Sequence, residues 1–206
     1  FLDFARKRKP GTPSVRLFNP TLAKHGWESP HTVLQIVNDD MPFLVDSVGM
    51  ALAERGISVH VLGHPVVKVA RDRGGQLPAV GEGATESLMH LEIDRQSASD
   101  AAAIERAVHA VLSDVRGIVQ DWPAMRRKML EITEDIVKRN MPVNDAGRKE
   151  AQEFLRWAAN DHFTFLGYRE YRVRKQGSEE VLSADADTGL GLLRARESAK
   201  PRKLTS

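Results

Sequence analysis

The first 120 residues switch between an alternating pattern of apolar positions and a helical one. His31–Asn38 (HTVLQIVN) is short, β-branched and apolar on both parities, as expected of a strand buried on both faces. Asp39-Asp40-Met41-Pro42 follows. Acidic residues before a Pro suit a helix start, because Pro is tolerated at the first helical position and carboxylates favour the positive helix end. Leu44, Val48 and Leu52 then recur at every fourth residue with Val45 beside them, which predicts one buried stripe. Gly56 supplies the stop.

Ile57–Ala70 (ISVHVLGHPVVKVA) alternates again. Ile57, Val59, Val61, Val67 and Val69 make an apolar face, and His60, His64 and Lys68 fall on the other parity. The spacing predicts a long half-buried strand bent at Gly63-His64-Pro65. Residues 72–85, rich in Gly and containing Pro78, read as a mobile loop. Leu88–Asp94 is a second alternating strand, with Met89, Leu91 and Ile93 on one face and His90, Glu92 and Asp94 on the other. A second helix follows, capped by Ser99 or Asp100, with Ile104, Val108, Val111, Leu112, Val115 and Val119 as its stripe. The order β-α-β-β-α predicts an α+β fold of the split-βαβ type: an antiparallel sheet with two helices on one face.

The flanks are less regular. Residues 1–14 are basic and contain Pro and Gly, so they read as a tail or linker, and Val15–Phe18 as a short strand. Trp122-Pro123 is expected to open a new helix carrying Met125, Met129, Ile132 and Ile136, closed by Met141-Pro142. Asn144-Asp145 opens another, with Phe154, Leu155 and Ala158 buried and Asn160-Asp161 at its end. Phe163–Arg174 reads as a strand whose partner starts at Glu180–Leu182. The expected domains are a tail (1–14), an α+β domain (15–120), a helical connector (121–160) and the start of a second β-containing domain (161–206).

The chain has 206 residues and begins at Phe1, which reads as a piece of something longer. Lys and Arg number 30 against 28 Asp and Glu, so the net charge of +2 is a small imbalance and no nucleic-acid footprint. The absence of cysteine excludes thiolate nucleophiles and Cys-ligated zinc and fits a cytoplasmic protein. No apolar run reaches the ~18 residues of a membrane span. Neither a nucleophile-elbow GxSxG, a phosphate-binding P-loop nor a metalloprotease HExxH is present, so no catalytic residue and no metal site are assigned. Gly189-Leu190-Gly191 offers two glycines of a dinucleotide fingerprint, but Arg194 stands where the third belongs and a turn precedes it.

Two groups of residues carry candidate chemistry. Asn38, Asp39, Asp40, Met41, Pro42 and Phe43, with Asp46, combine a helix N-terminus, which attracts anions, with carboxylates that suit an ammonium group. Together they can hold an amino acid by both ends; the alternative is that Asp39 and Asp40 only cap the helix. His60, His64, His90 and Glu92 form a polar sheet face. His60 and His64 lie about 13 Å apart on a strand, too far to share one ion. One of them can approach His90 and Glu92 across the hairpin, giving a solvated face or an oligomer interface.

Val37–Val48 (VNDDMPFLVDSV) resembles the N-terminal signature of the large bacterial NAD-specific glutamate dehydrogenases. His64–Val69, Ser87–Asp94, Val119–Met125, Phe154–Trp157 and Asp161–Tyr168 agree, in order, so the resemblance covers most of residues 15–194. It implies a parent enzyme that deaminates L-glutamate to 2-oxoglutarate and ammonium with NAD, through a catalytic domain far downstream. It implies no cofactor within this segment. It also implies an ACT-like regulatory domain, whose first strand–helix turn often binds an amino acid between paired domains. The partners implied are the protein's own catalytic domain and other subunits of a homo-oligomer, with no nucleic acid or membrane. ACT turns commonly place Gly after the Pro; here Phe43 stands there, and its bulk can block a pocket. No last strand follows the second helix, so Val15–Phe18 or another chain completes the sheet.

Overall fold

The computed structural model describes residues 1–77, 79–138, 143–177, 179–194 and 202–203, arranged in two compact units, 1–115 and 116–206. Unit 1 contains α1 (Leu2–Ala5), β1 (Ser14–Phe18), α2 (Leu22–His25), β2 (Thr32–Asp39), α3 (Leu44–Ala53), β3 (Val59–Gly63), β4 (Val66–Ala70), β5 (Ala79–Val80), β6 (Ala84–Ile93) and the first part of α4 (Ala98–Lys138). Its antiparallel sheet runs β1-β2-β6-β4-β5, and β3 also pairs with β6. The β2-α3-β3/β4-β6-α4 order is the expected α+β arrangement. The open question of the last strand is settled by β1, which pairs with β2 from Ser14↔Val37 to Phe18↔Val33.

β2 is buried on both faces, as its composition requires: Val33, Leu34, Ile36 and Val37 have no exposure. Antiparallel partners share a face, so the register Leu34↔Leu91 and Ile36↔Met89 gathers the apolar residues of β2 and β6 on one side. They form the core with Leu44, Val48 and Leu52 of α3 and with Ile104, Val108 and Leu112 of α4. Each such side chain contributes about 1.5–3 kcal/mol on burial.

The expected bent strand is present as β3 and β4. Both pair with β6, β3 with its C-terminal half and β4 with its N-terminal half, and Gly63-His64-Pro65 turns between them. The Leu88 amide reaches across to the Pro65 carbonyl at 3.0 Å. A bulge between Val59 and Val61 breaks the simple alternation. Val59 pairs with Ile93, whereas Val61 pairs with Glu92, so Val61 joins the polar face and is 47% exposed.

Several expectations need correction. Residues 1–14 are no free tail: Phe1, Phe4 and Ala5 pack on Val37, Leu88 and Val67, on the sheet face away from the Leu34–Leu91 side. Residues 72–77 are no loose loop, because Lys7 and Gln76 form a bridge and the Leu77 amide bonds to the Arg6 carbonyl at 2.9 Å. α3 starts at Leu44, not at Pro42.

Unit 2 continues α4 and adds α5 (Asp145–Trp157), a π turn (Ala158–His162), β7 (Gly167–Tyr168), β8 (Tyr171–Gln176), β9 (Glu179–Ala184), a 3-10 turn (Ala186–Thr188), β10 (Leu190–Gly191) and β11 (Arg202–Lys203). Pro123 does not open a helix; it lies inside α4. Ile118, Asp121 and Met125 are buried around it while Pro123 is exposed, so the buried side of α4 continues past it. The expected stop at Met141-Pro142 lies outside the described residues. α5 is capped by Asn144, whose side chain accepts from the Gly147 amide at 2.8 Å. It ends as expected: Asp161 takes a left-handed conformation at φ 59. Phe154, expected to be buried, is 58% exposed. Phe163–Arg174 is not one strand but β7 and β8, and β9 pairs with β8 as expected.

Candidate functional site

The β2–α3 turn is built from both of its neighbours. Asn38, which pairs with Ser87, is 1% exposed. The Asp40 amide bonds to the Thr85 carbonyl at 3.0 Å, and the Ser87 hydroxyl donates to the Asp40 carboxylate at 2.6 Å. Met41 is half-buried, and Pro42 and Phe43 are exposed. Phe43 then takes φ 71 and ψ 2, the left-handed conformation that a glycine would occupy without strain. For a bulky residue this costs about 1–3 kcal/mol and must be imposed by its surroundings. The ring is 47% exposed. No side chain caps α3, and Asp46 lies exposed in its first turn.

Neither Asp39 nor Asp40 caps the helix, so the capping alternative is overturned. Asp39 faces the N-terminal segment instead: it accepts from the Arg8 guanidinium at 2.6 Å and from the Gly11 amide at 3.1 Å. The same Arg8 group donates to Glu86 at 2.6 Å. Glu86 also takes two bonds from Arg71, at 2.6 and 2.8 Å. Arg71 in turn holds the Ala5 and Gly75 carbonyls, each at 2.9 Å. Arg8 and Glu86 side chains are each 2% exposed. Burial alone would lower the Arg8 pKa, but its bonds to Glu86 and Asp39 outweigh this and raise it. Burial likewise works to raise Glu86, and its bonds to Arg71 and Arg8 hold it below the ordinary carboxylate value. Sequence pattern could not reveal this group, because Arg8 and Glu86 lie 78 positions apart.

His60, His64, His90 and Glu92 are not brought into one cluster. His60 bonds to Asp94 at 2.7 Å and stacks on His31, ring centres 4.1 Å apart. Glu92 accepts from Ser29 at 2.7 Å and lies 3.2 Å from the His31 ring nitrogen. The Ser29 hydroxyl, followed by His31, keeps the Glu92 carboxyl below its usual range against the opposing effect of burial. His90 bonds to Gln35 at 3.0 Å, and burial pushes its pKa down. His64 sits half-buried at the β3–β4 bend. His31 and Asp94 were missed as partners because the bulge decides which side His60 takes. Among the described residues no three His, Asp or Glu form a group that could hold a metal ion, and no helix is long and apolar enough to cross a membrane.

The Gly189–Gly191 stretch has a structural purpose. The Gly191 amide donates to the Asp121 carboxylate at 2.8 Å, which also takes the Arg194 guanidinium. A Cβ at Gly191 would collide with the Leu166 carbonyl, and one at Gly189 with the Leu193 carbonyl. A carboxylate already occupies the amide that a phosphate would need.

Comparison with known proteins places these features. The family described as glutamate dehydrogenase, ACT1 domain, matches residues 1–108. The NAD-specific glutamate dehydrogenase of Pseudomonas aeruginosa is 40% identical over 190 residues, 88% of this chain and 12% of that protein. The enzyme of the same name from Halomonas elongata is 38% identical over 200 residues, 93% of this chain and 12% of that protein. That of Mycobacterium tuberculosis is 28% identical over 178 residues, 82% of this chain and 11% of that protein. The chain thus spans about an eighth of the length of these relatives. With its βαββα order and its match over more than half its length, the chain belongs to the glutamate dehydrogenase ACT1 domain family.

Proposed function

We propose that this chain is a non-catalytic regulatory and assembly segment of a large, cytoplasmic NAD-dependent glutamate dehydrogenase, with an amino-acid effector held at the β2–α3 turn. NAD and glutamate chemistry belong to the remainder of the parent, which converts L-glutamate to 2-oxoglutarate and ammonium. The observation that carries the effector reading is the uncapped start of α3 behind Phe43 in its left-handed conformation. Free helix amides suit a carboxylate, and Asp39, Asp40 and Asp46, the first two bonded to Arg8 and Ser87, flank them in the chain as carboxylates that suit an ammonium group. Ligand binding would bias packing against the rest of the enzyme through differential affinity between states. Calorimetric titration of the chain with a panel of L-amino acids is expected to show binding at millimolar or tighter concentration. Flat titrations across the panel would remove the effector and leave assembly alone.

A second reading, a self-association module without ligand, draws support from β3. Among the described residues β3 pairs only with β6, and it carries exposed Val59, Val61 and Leu62. An unpaired apolar edge is a template for another strand. Light scattering of the chain tests it: a strictly monomeric species over a wide concentration range rejects it.

A further inference from the structure

The N-terminal segment does more than cover a sheet face. Residues 6–8 are stitched to the 72–77 turn: the Arg8 amide bonds to the Gly75 carbonyl at 2.9 Å, and the Leu77 amide to the Arg6 carbonyl at 2.9 Å. Gly75 sits at φ 79, and a Cβ there would strike the Arg8 carbonyl, so the turn is shaped to receive this segment. The anchoring is uneven. Within 1–12 only Ala5 and Arg8 are fully buried, while Leu2 is 72% exposed. The apolar hold is therefore small compared with that of the central strands β2 and β6.

The charges are uneven as well. Glu86 is 2% exposed and takes two bonds from Arg71 in addition to that from Arg8. Asp39 is 29% exposed at the rim, one residue before the turn that we read as the effector site. Glu86 thus has a second cation in Arg71, whereas Asp39 is bonded by the Arg8 guanidinium and the Gly11 amide, both on the N-terminal segment. Guanidinium and ammonium groups present the same kind of charged N–H donor to a carboxylate.

We propose that residues 1–12 form a displaceable strap, whose Arg8 guanidinium competes with the ammonium group of an amino-acid ligand for the Asp39 carboxylate. This rests on the turn being an amino-acid site and adds its regulation: a docked strap weakens binding, and a bound ligand loosens the strap by the same factor.

The test compares the 206-residue chain with its Arg8→Met and Gly75→Ala variants, each titrated calorimetrically with the same L-amino-acid panel. Arg8→Met removes the competing cation. Gly75→Ala dislodges residues 6–8 without touching a charge, and serves if Arg8→Met fails to fold. The amino acid that binds the unaltered chain best is expected to bind either variant about tenfold tighter. In the unaltered chain it is expected to speed hydrogen exchange at the Arg8 and Leu77 amides. Binding to the unaltered chain with equal or weaker affinity in a folded variant, or with unchanged exchange at those amides, overturns the strap while leaving the effector site standing. Flat titrations for all three proteins overturn both.

Discussion

Helix α3 of unit 1 and helix α5 of unit 2 treat their apolar side chains in opposite ways. In unit 1, the ten-residue α3 buries Leu44, Val48, Ala51 and Leu52. In unit 2, the thirteen-residue α5 is more sharply two-sided in sequence yet buries none of its residues. Phe154 and Trp157 stand about half exposed and stack on each other, ring centres 5.9 Å apart, and Trp157 also stacks on His162 at 4.9 Å. Periodicity tells which face of an element is apolar. It does not tell whether the described residues contain anything to cover that face.

Three substitutions break or sharpen this contrast. Leu34→Ala opens a cavity in the middle of unit 1 and is expected to destabilise it by about 2–5 kcal/mol in denaturant unfolding followed by circular dichroism. A loss below about 1 kcal/mol would mean that the core of unit 1 is no tighter than the surface of unit 2. Asp121→Asn, which weakens the hold on Gly191 and Arg194 in unit 2, is expected to cost about 1–2 kcal/mol, since Arg194 is mostly exposed and its charge is screened. Burial works to raise the Asp121 pKa, but the Arg194 and Gly191 bonds bring it below the unfolded value of 3.8. Stability from a depressed carboxylate is present above the unfolded value and lost as pH falls through the folded one. The gap between Asp121→Asn and the unaltered chain should therefore hold at neutral pH and close as the medium is acidified below 3.8. A gap that persists in strong acid would show that charge is not what Asp121 supplies. Phe154→Ala is expected to change stability by no more than about 0.5 kcal/mol, because the ring is largely in water. A loss as large as that of Leu34→Ala would show that α5 is covered in solution.

Much of unit 1 was legible because its signals are local. The two-sided burial of β2, the bend at Gly63-His64-Pro65 and the alternation of β6 each follow from residues within a few positions of one another. What was not legible depends on distant partners or on exceptions to propensity. Arg8 looked like part of a basic tail because its carboxylates are supplied by Asp39 and Glu86. Phe43 occupies a conformation that sequence rules reserve for Gly, so the start of α3 was placed two residues early. Pro123 reads as a boundary, yet α4 passes through it, with buried residues continuing on either side of the exposed ring. The polar sheet face was foreseen as a set of residues, but the bulge at His60 redirected their pairing. The family could be identified from words spread along the chain, whereas the strap over Asp39 could not.

The placement of β6 also sets the order in which unit 1 can be assembled. β1 and β2 can close before β6 is available, since Phe18 and Val33 are only 15 positions apart. The core pair Leu34↔Leu91 must wait for a chain segment 57 residues further on, and β3 and β4 have no other neighbour in common to settle against. A β1–β2 pair made before β6 arrives leaves its Leu34–Ile36 flank uncovered until Met89 and Leu91 can pack against it. Sheets joined through such a latecomer fold slowly relative to their size.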